Sequence, residues 1–120
     1  MSVTGINYVA FNTPDIQRLR DFYIDLLEAE SLVGDHQPIR VGHTLLVFFN
    51  GEAAADKSLT IGFDVDADSF ADILARAKDL EILERGPVEH TRVTKGLFLK
   101  DPDGRTIEVC YNDLGVFWQN

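Results

Sequence analysis

Glu108 stands where a carboxylate is costly. It lies in the β-prone run Ile107-Glu108-Val109-Cys110-Tyr111, which follows Asp101-Pro102-Asp103-Gly104-Arg105-Thr106. Strand side chains alternate between faces, so Glu108 and Cys110 share one side, and Ile107, Val109 and Tyr111 share the other. A mid-strand carboxylate between apolar neighbours needs a partner if it is buried. In such surroundings Glu108 is a candidate catalytic general base, a hydrogen-bond anchor, or a counter-ion for a cationic ligand. The plainer alternative is that it hydrogen-bonds Tyr8 or Thr60 and stabilises the sheet. Cys110, the single cysteine, is either a reactive thiol or a small buried hydrophobe, and no base near it in sequence favours the first. Of the three histidines, His43 falls at the Gly42 turn, and His36 and His90 fall in stretches without clear periodicity. All three are expected to be exposed.

The elements that hold these groups follow from periodicity and turn chemistry. Leu97-Phe98-Leu99, the Asp-Pro-Asp-Gly turn and residues 107–111 form a hairpin. Ile6–Phe11 is a short strand. Thr13-Pro14-Asp15 starts a helix, with Thr13 as N-cap, and Ile16, Leu19, Phe22, Tyr23, Leu26 and Leu27 recur at helical spacing. Ser31–Val33 is a short strand, and residues 38–41 and 43–49 form a hairpin around Gly42. Residues 52–57 read as a polar linker. Leu59–Val65 is a strand, and 66–80 a second helix, capped by Asp66 or Asp68, with Phe70, Ile73, Leu74, Ala77 and Leu80 on its apolar face. Gly86-Pro87 reads as a break.

Composition narrows the function classes. Twenty acidic against 11 basic residues leave a net charge of −9. That argues against nucleic acid or an anionic membrane as partner, since both recruit cationic surfaces. A chain of 120 residues, 45% hydrophobic, suits one globular domain or two small modules sharing a core. One cysteine excludes an intrachain disulfide. The first five residues do not open a signal peptide, and no stretch reaches transmembrane length, so a cytoplasmic protein is expected.

The pattern of strand, helix and short strands occurs twice. Tyr8–Phe11 aligns with Thr60–Phe63, and His43–Asn50 with Arg105–Asn112. The chain therefore reads as an α+β fold of two βαβββ modules, residues 4–51 and 57–112, followed by a tail, 113–120. Each helix covers one sheet face, and curved mixed sheets enclose a shared cavity. The tail through Trp118 is apolar enough to pack on the domain or on a partner chain.

With those pieces in place, the sequence resembles the vicinal oxygen chelate superfamily, which includes glyoxalase I, extradiol dioxygenases, fosfomycin-resistance enzymes and bleomycin-binding proteins. The resemblance rests on Ile6–Phe11, on Asp15 through Phe22-Tyr23 to Leu26-Leu27, and on Asp101–Val109. It implies four inward metal-ligand positions, which fall here on Tyr8, Leu46, Thr60 and Glu108. Only Glu108 is of ligand type, so neither a metal nor any other cofactor is expected. His90, just before the last hairpin, lies in a stretch that the resemblance places near the cavity.

By alternation, the face away from the helices carries Tyr8, Ala10, Leu46, Phe48, Thr60, Gly62, Phe98, Glu108 and Cys110. Tyr8, Leu46, Phe48, Thr60, Phe98, Glu108 and Cys110 are the candidate ligand contacts, in a lining typical of small-ligand sites. Arg40, Arg92 and Lys100 are candidates for selecting an anion at its rim. Three functions remain open. One is a metal-free homodimeric protein that sequesters an antibiotic or aromatic small molecule. Another is a metal-dependent lyase, isomerase or dioxygenase with unusual ligands such as Glu108, His90 and Tyr8. The third is a metal-free enzyme using Glu108 as base.

Overall fold

The computed structural model describes residues 2–53, 59–91 and 94–112. The expectations for the tail through Trp118, for Arg92 and for most of the polar linker lie outside the described residues. The chain divides into two units, Met1–Ala55 and Asp56–Asn120. Both are α+β and repeat one topology.

In the first unit, β1 (Tyr8–Thr13) leads through α1 (Ile16–Leu27) to β2 (Glu30–Ser31), β3 (Ile39–Val41) and β4 (Thr44–Asn50). The sheet order is β1-β4-β3-β2, with β1 parallel to β4 and the other pairs antiparallel. Helix α1 buries Leu19, Tyr23 and Leu26, and Tyr23 stacks on Phe11 of β1 with centroids 5.3 Å apart. Asp15, not Thr13, is its N-cap, accepting the Arg18 amide at 3.1 Å. Thr13 is fully buried at the end of β1, where its hydroxyl oxygen accepts the Asp15 amide at 3.1 Å. The short strand expected at Ser31–Val33 sits at Glu30–Ser31 instead.

The second unit repeats the order with β5 (Gly62–Asp64), α2 (Ala67–Asp79), β6 (Leu83–Thr91), β7 (Thr94–Lys100) and β8 (Thr106–Asn112), in a sheet ordered β5-β8-β7-β6. Asp66 caps α2 by accepting the Ser69 amide at 2.8 Å. Phe70, Ile73 and Ala77 face the sheet, whereas Leu80, at the C-cap, is 63% exposed and leaves the apolar stripe. Phe63, Leu97, Leu99, Ile107 and Val109 complete the core. Gly86-Pro87, expected to break the chain, lies inside β6. The strand absorbs it through register shifts against β7, and the Gly86–Pro87 peptide is cis. The Asp101–Arg105 turn is organised by Asp101, which is 4% exposed. Its carboxylate accepts the amides of Asp103 and Arg105 at 2.9 and 3.0 Å and the Arg105 guanidinium at 3.1 Å. Gly104 closes the turn with φ +84°, a conformation glycine adopts at no steric cost. Among the described residues, no helix is long and apolar enough to cross a membrane.

Candidate functional site

The second sheet assigns its faces by register. Ile107 and Val109 on β8 and Leu97 and Leu99 on β7 are buried on the α2 side. Glu108 therefore points the other way, opposite Phe98 on β7 and Gly62 on β5. Its backbone amide extends the parallel pairing by donating to the Ile61 carbonyl at 2.9 Å. On this face Glu108 meets a partner that neither sequence spacing nor periodicity indicated: His90 Nε2 contacts Glu108 Oε2. His90 belongs to β6, not to an irregular stretch. Glu108 is 13% and His90 38% exposed at the side chain, so the pair is half shielded and still reachable from solvent.

The pair depends on Gly96, which is buried on β7 directly opposite Cys110. A Cβ on Gly96 would overlap Glu108 Oε2 outright and lie 2.9 Å from His90 Nε2. The glycine is a gap in the strand's surface through which the carboxylate and the imidazole meet. A neutral imidazole must donate Nε2–H to a carboxylate, so Nδ1 is left as the ring's acceptor.

The neighbours of the pair are aromatic and polar. The Phe98 and His90 rings meet edge to face, with centroids 5.9 Å apart. Cys110 sits beside Glu108. Burial, then the charge of Glu108, a hydrogen bond to Glu108 and the charge of Asp64 push its thiol pKa up to about 12. Cys110 is therefore a protonated donor to the carboxylate and not a nucleophile at neutral pH.

The remaining expected contacts fare differently. Tyr8 is 57% exposed on β1, on the face of the first sheet opposite α1. Thr60 is exposed and precedes β5. Leu46 and Phe48 do not share the Tyr8 face. In the parallel pairing Tyr8 is opposite Leu45, and Val9 and Phe11 are opposite Leu46 and Phe48. Leu46 is 0% and Phe48 1% exposed, and Phe48 stacks on Phe11 at 6.0 Å. The expected alignment of the repeats was one residue out in β4, and one residue of slip moves every side chain to the other face. In the structural register Val47, not Leu46, is the counterpart of Glu108. Of the cations expected at a rim, the two among the described residues are occupied. Arg40 pairs with Glu30, and Lys100 binds Glu84 at 3.5 Å and the Thr106 hydroxyl at 3.0 Å.

These side chains do not fit the divalent metal implied by the resemblance. The four carried-over positions hold a phenol, an aliphatic side chain in either register, a hydroxyl, and one carboxylate already engaged by His90. Among the described residues, no three His, Cys, Asp or Glu side chains converge as a metal site would require.

No protein-family model matches the chain. The metallothiol transferase FosB of Staphylococcus epidermidis is 23% identical over 117 residues, covering 91% of this chain and 82% of its own. Among solved structures, a glyoxalase/dioxygenase from Nostoc punctiforme superposes with a TM-score of 0.74 at 23% identity, covering 94% of this chain and 98% of that one. The fosfomycin resistance protein FosX from Mesorhizobium loti superposes with a TM-score of 0.71 at 16% identity, over 98% of each chain. At these identities the likeness is one of fold: the chain has the fold shared by the glyoxalase/dioxygenase and the fosfomycin resistance protein.

Proposed function

We propose that this chain binds a small organic molecule on the Glu108 face of the second sheet, without a metal. The Glu108–His90 pair is the polar anchor, and Phe98 is the apolar contact. The observation that carries this reading is the contact between His90 Nε2 and Glu108 Oε2 across the Gly96 gap, on the sheet face opposite α2. A fixed carboxylate–imidazole pair beside an aromatic ring gives a ligand both orientation and apolar contact. The same pair can take up or release a proton at a bound molecule, so Glu108 serves to orient His90 as the base. The test is calorimetric titration in the presence of a chelator with fosfomycin and a panel of small aromatic compounds. Binding by the wild type that is lost in Glu108→Gln and His90→Ala supports the reading. Binding that both variants retain overturns it. Sedimentation equilibrium measures whether the protein is the homodimer that the resemblance implies.

A second reading rests on the same two atoms. An imidazole nitrogen beside a carboxylate oxygen is also the start of a cation site, and FosB is by name a metallothiol transferase. Elemental analysis after exposure to manganese, iron, nickel and zinc tests it. One ion retained per chain, and lost in Glu108→Gln, would favour a metalloenzyme over metal-free binding.

A further inference from the structure

Arg85 lies on β6 opposite Phe98 in register, with its Cζ 4.2 Å from the Phe98 ring centroid. The other side of the arrangement is the edge contact between Phe98 and His90, and His90 in turn meets Glu108. Cation, aromatic ring, imidazole and carboxylate thus follow one another across β6, β7 and β8 on a single sheet face. Arg85 differs from the other cations of this region. Lys100 is held by Glu84 and Arg105 by Asp101 and Asp103, whereas Arg85 forms no ion pair among the described residues. A guanidinium seated over a ring keeps N–H donors for an anion, in a fork that suits a carboxylate or phosphonate.

We propose that Arg85 is an anion subsite, and that the ligand of this face is a small molecule with a carboxylate or phosphonate at one end and a planar body. The anion binds Arg85, the body lies against Phe98, and the opposite end presents a proton donor to His90. This rests on the ligand-binding reading above and narrows its substrate class. The polarity of the face sets the direction. Glu108 repels an anionic group at its end, and in a chain of net charge −9 a local cation is needed to hold an anion at the other.

The test is backbone-amide NMR of the full chain in chelator-containing buffer, titrated separately with benzoate, phenylphosphonate and the neutral benzamide. Both anions are expected to shift the resonances of Phe98 and His90 and to bind about tenfold more tightly than benzamide, the scale of one charge-assisted hydrogen bond. Arg85→Met should remove that advantage and leave benzamide unchanged, and Arg85→Lys should keep part of it. The same spectra report that each variant is folded. Equal binding of benzamide and the anions, or anion binding that survives Arg85→Met, overturns the anion subsite and leaves the ligand-binding reading standing. If none of the probes perturbs this face, both fail.

Discussion

Replacing Gly96 with alanine separates the Glu108–His90 pair from every other feature of the fold. The new Cβ would overlap Glu108 Oε2, and would lie 2.9 Å from His90 Nε2 and 3.1 Å from Glu108 Cδ. Real Cβ atoms essentially never come closer than 3.0 Å to a neighbour, so the carboxylate must leave. Two effects oppose each other. A glycine inside a strand is less favourable than alanine by roughly 0.5–1 kcal/mol, and Gly96 has no positive φ that would penalise a side chain. The atoms struck are the ends of two side chains that can swing aside, so the cost is the lost Glu108–His90 contact, about 1.5–3 kcal/mol for a hydrogen bond to a charged group and less for a half-exposed pair. That loss outweighs the gain, and Gly96→Ala should be about 1 kcal/mol less stable than wild type. In a Glu108→Ala background the obstacle is gone, and only the half-exposed tip of His90 remains to swing aside. There the same substitution should be neutral or stabilising by about 0.5 kcal/mol. Urea denaturation of the four proteins closes a double-mutant cycle with a coupling of at least about 1 kcal/mol. If Gly96→Ala costs the same in both backgrounds within about 0.3 kcal/mol, the carboxylate does not occupy the gap and the account of the site is wrong.

Phe48→Ala should cost about 3–5 kcal/mol in chemical denaturation and leave ligand titrations unchanged in folded protein, because Phe48 is core. A loss of ligand binding without a loss of stability would restore it to the site. Cys110 should react with Ellman's reagent at pH 8 far more slowly in the native state than in urea, since its folded thiol titrates near 12. Glu108→Gln removes the charge and one of the two acceptor oxygens and should speed labelling; native labelling at the free-thiol rate would contradict the raised thiol pKa of half-buried Cys110. Asp66 is held below its ordinary value of 3.8, first by the Ser69 amide and then by the Ser69 side chain, with burial opposing. A depressed folded pKa contributes stability that is present above the unfolded value and lost as pH falls through the folded one. The stability advantage of wild type over Asp66→Asn should therefore be complete above about pH 4 and shrink below it; a gap that stays constant down to pH 2 would refute the assignment.

Periodicity and turn chemistry were enough to read the two βαβββ modules, the apolar faces of both helices except at Leu80, and the last hairpin. Each rests on interactions within a few residues: Asp66 with Ser69, Asp101 with Arg105, Leu19 with Tyr23 and Leu26 along one helix. Glu108 was also legible, because one carboxylate in a short β-prone run has only two faces to choose from. The register of β4 was not. Leu45-Leu46-Val47-Phe48-Phe49 has no polar residue to mark a face, so either alternation satisfies the sequence. What selects one is the stacking of Phe48 on Phe11 and of Phe11 on Tyr23, contacts made across three elements. His90 was already placed near the cavity by the resemblance, but its sheet face, like that of Arg85, was hidden for a related reason. They lie on a strand whose alternation is interrupted by register shifts around Gly86-Pro87, so counting in twos does not give their faces. Local pattern along the chain is enough to specify the fold and to set one carboxylate on an open sheet face. The partner of that carboxylate emerges only once the strands are assembled, because the contact joins residues 18 apart through a third strand, and the glycine that permits it is defined by what its missing side chain would strike.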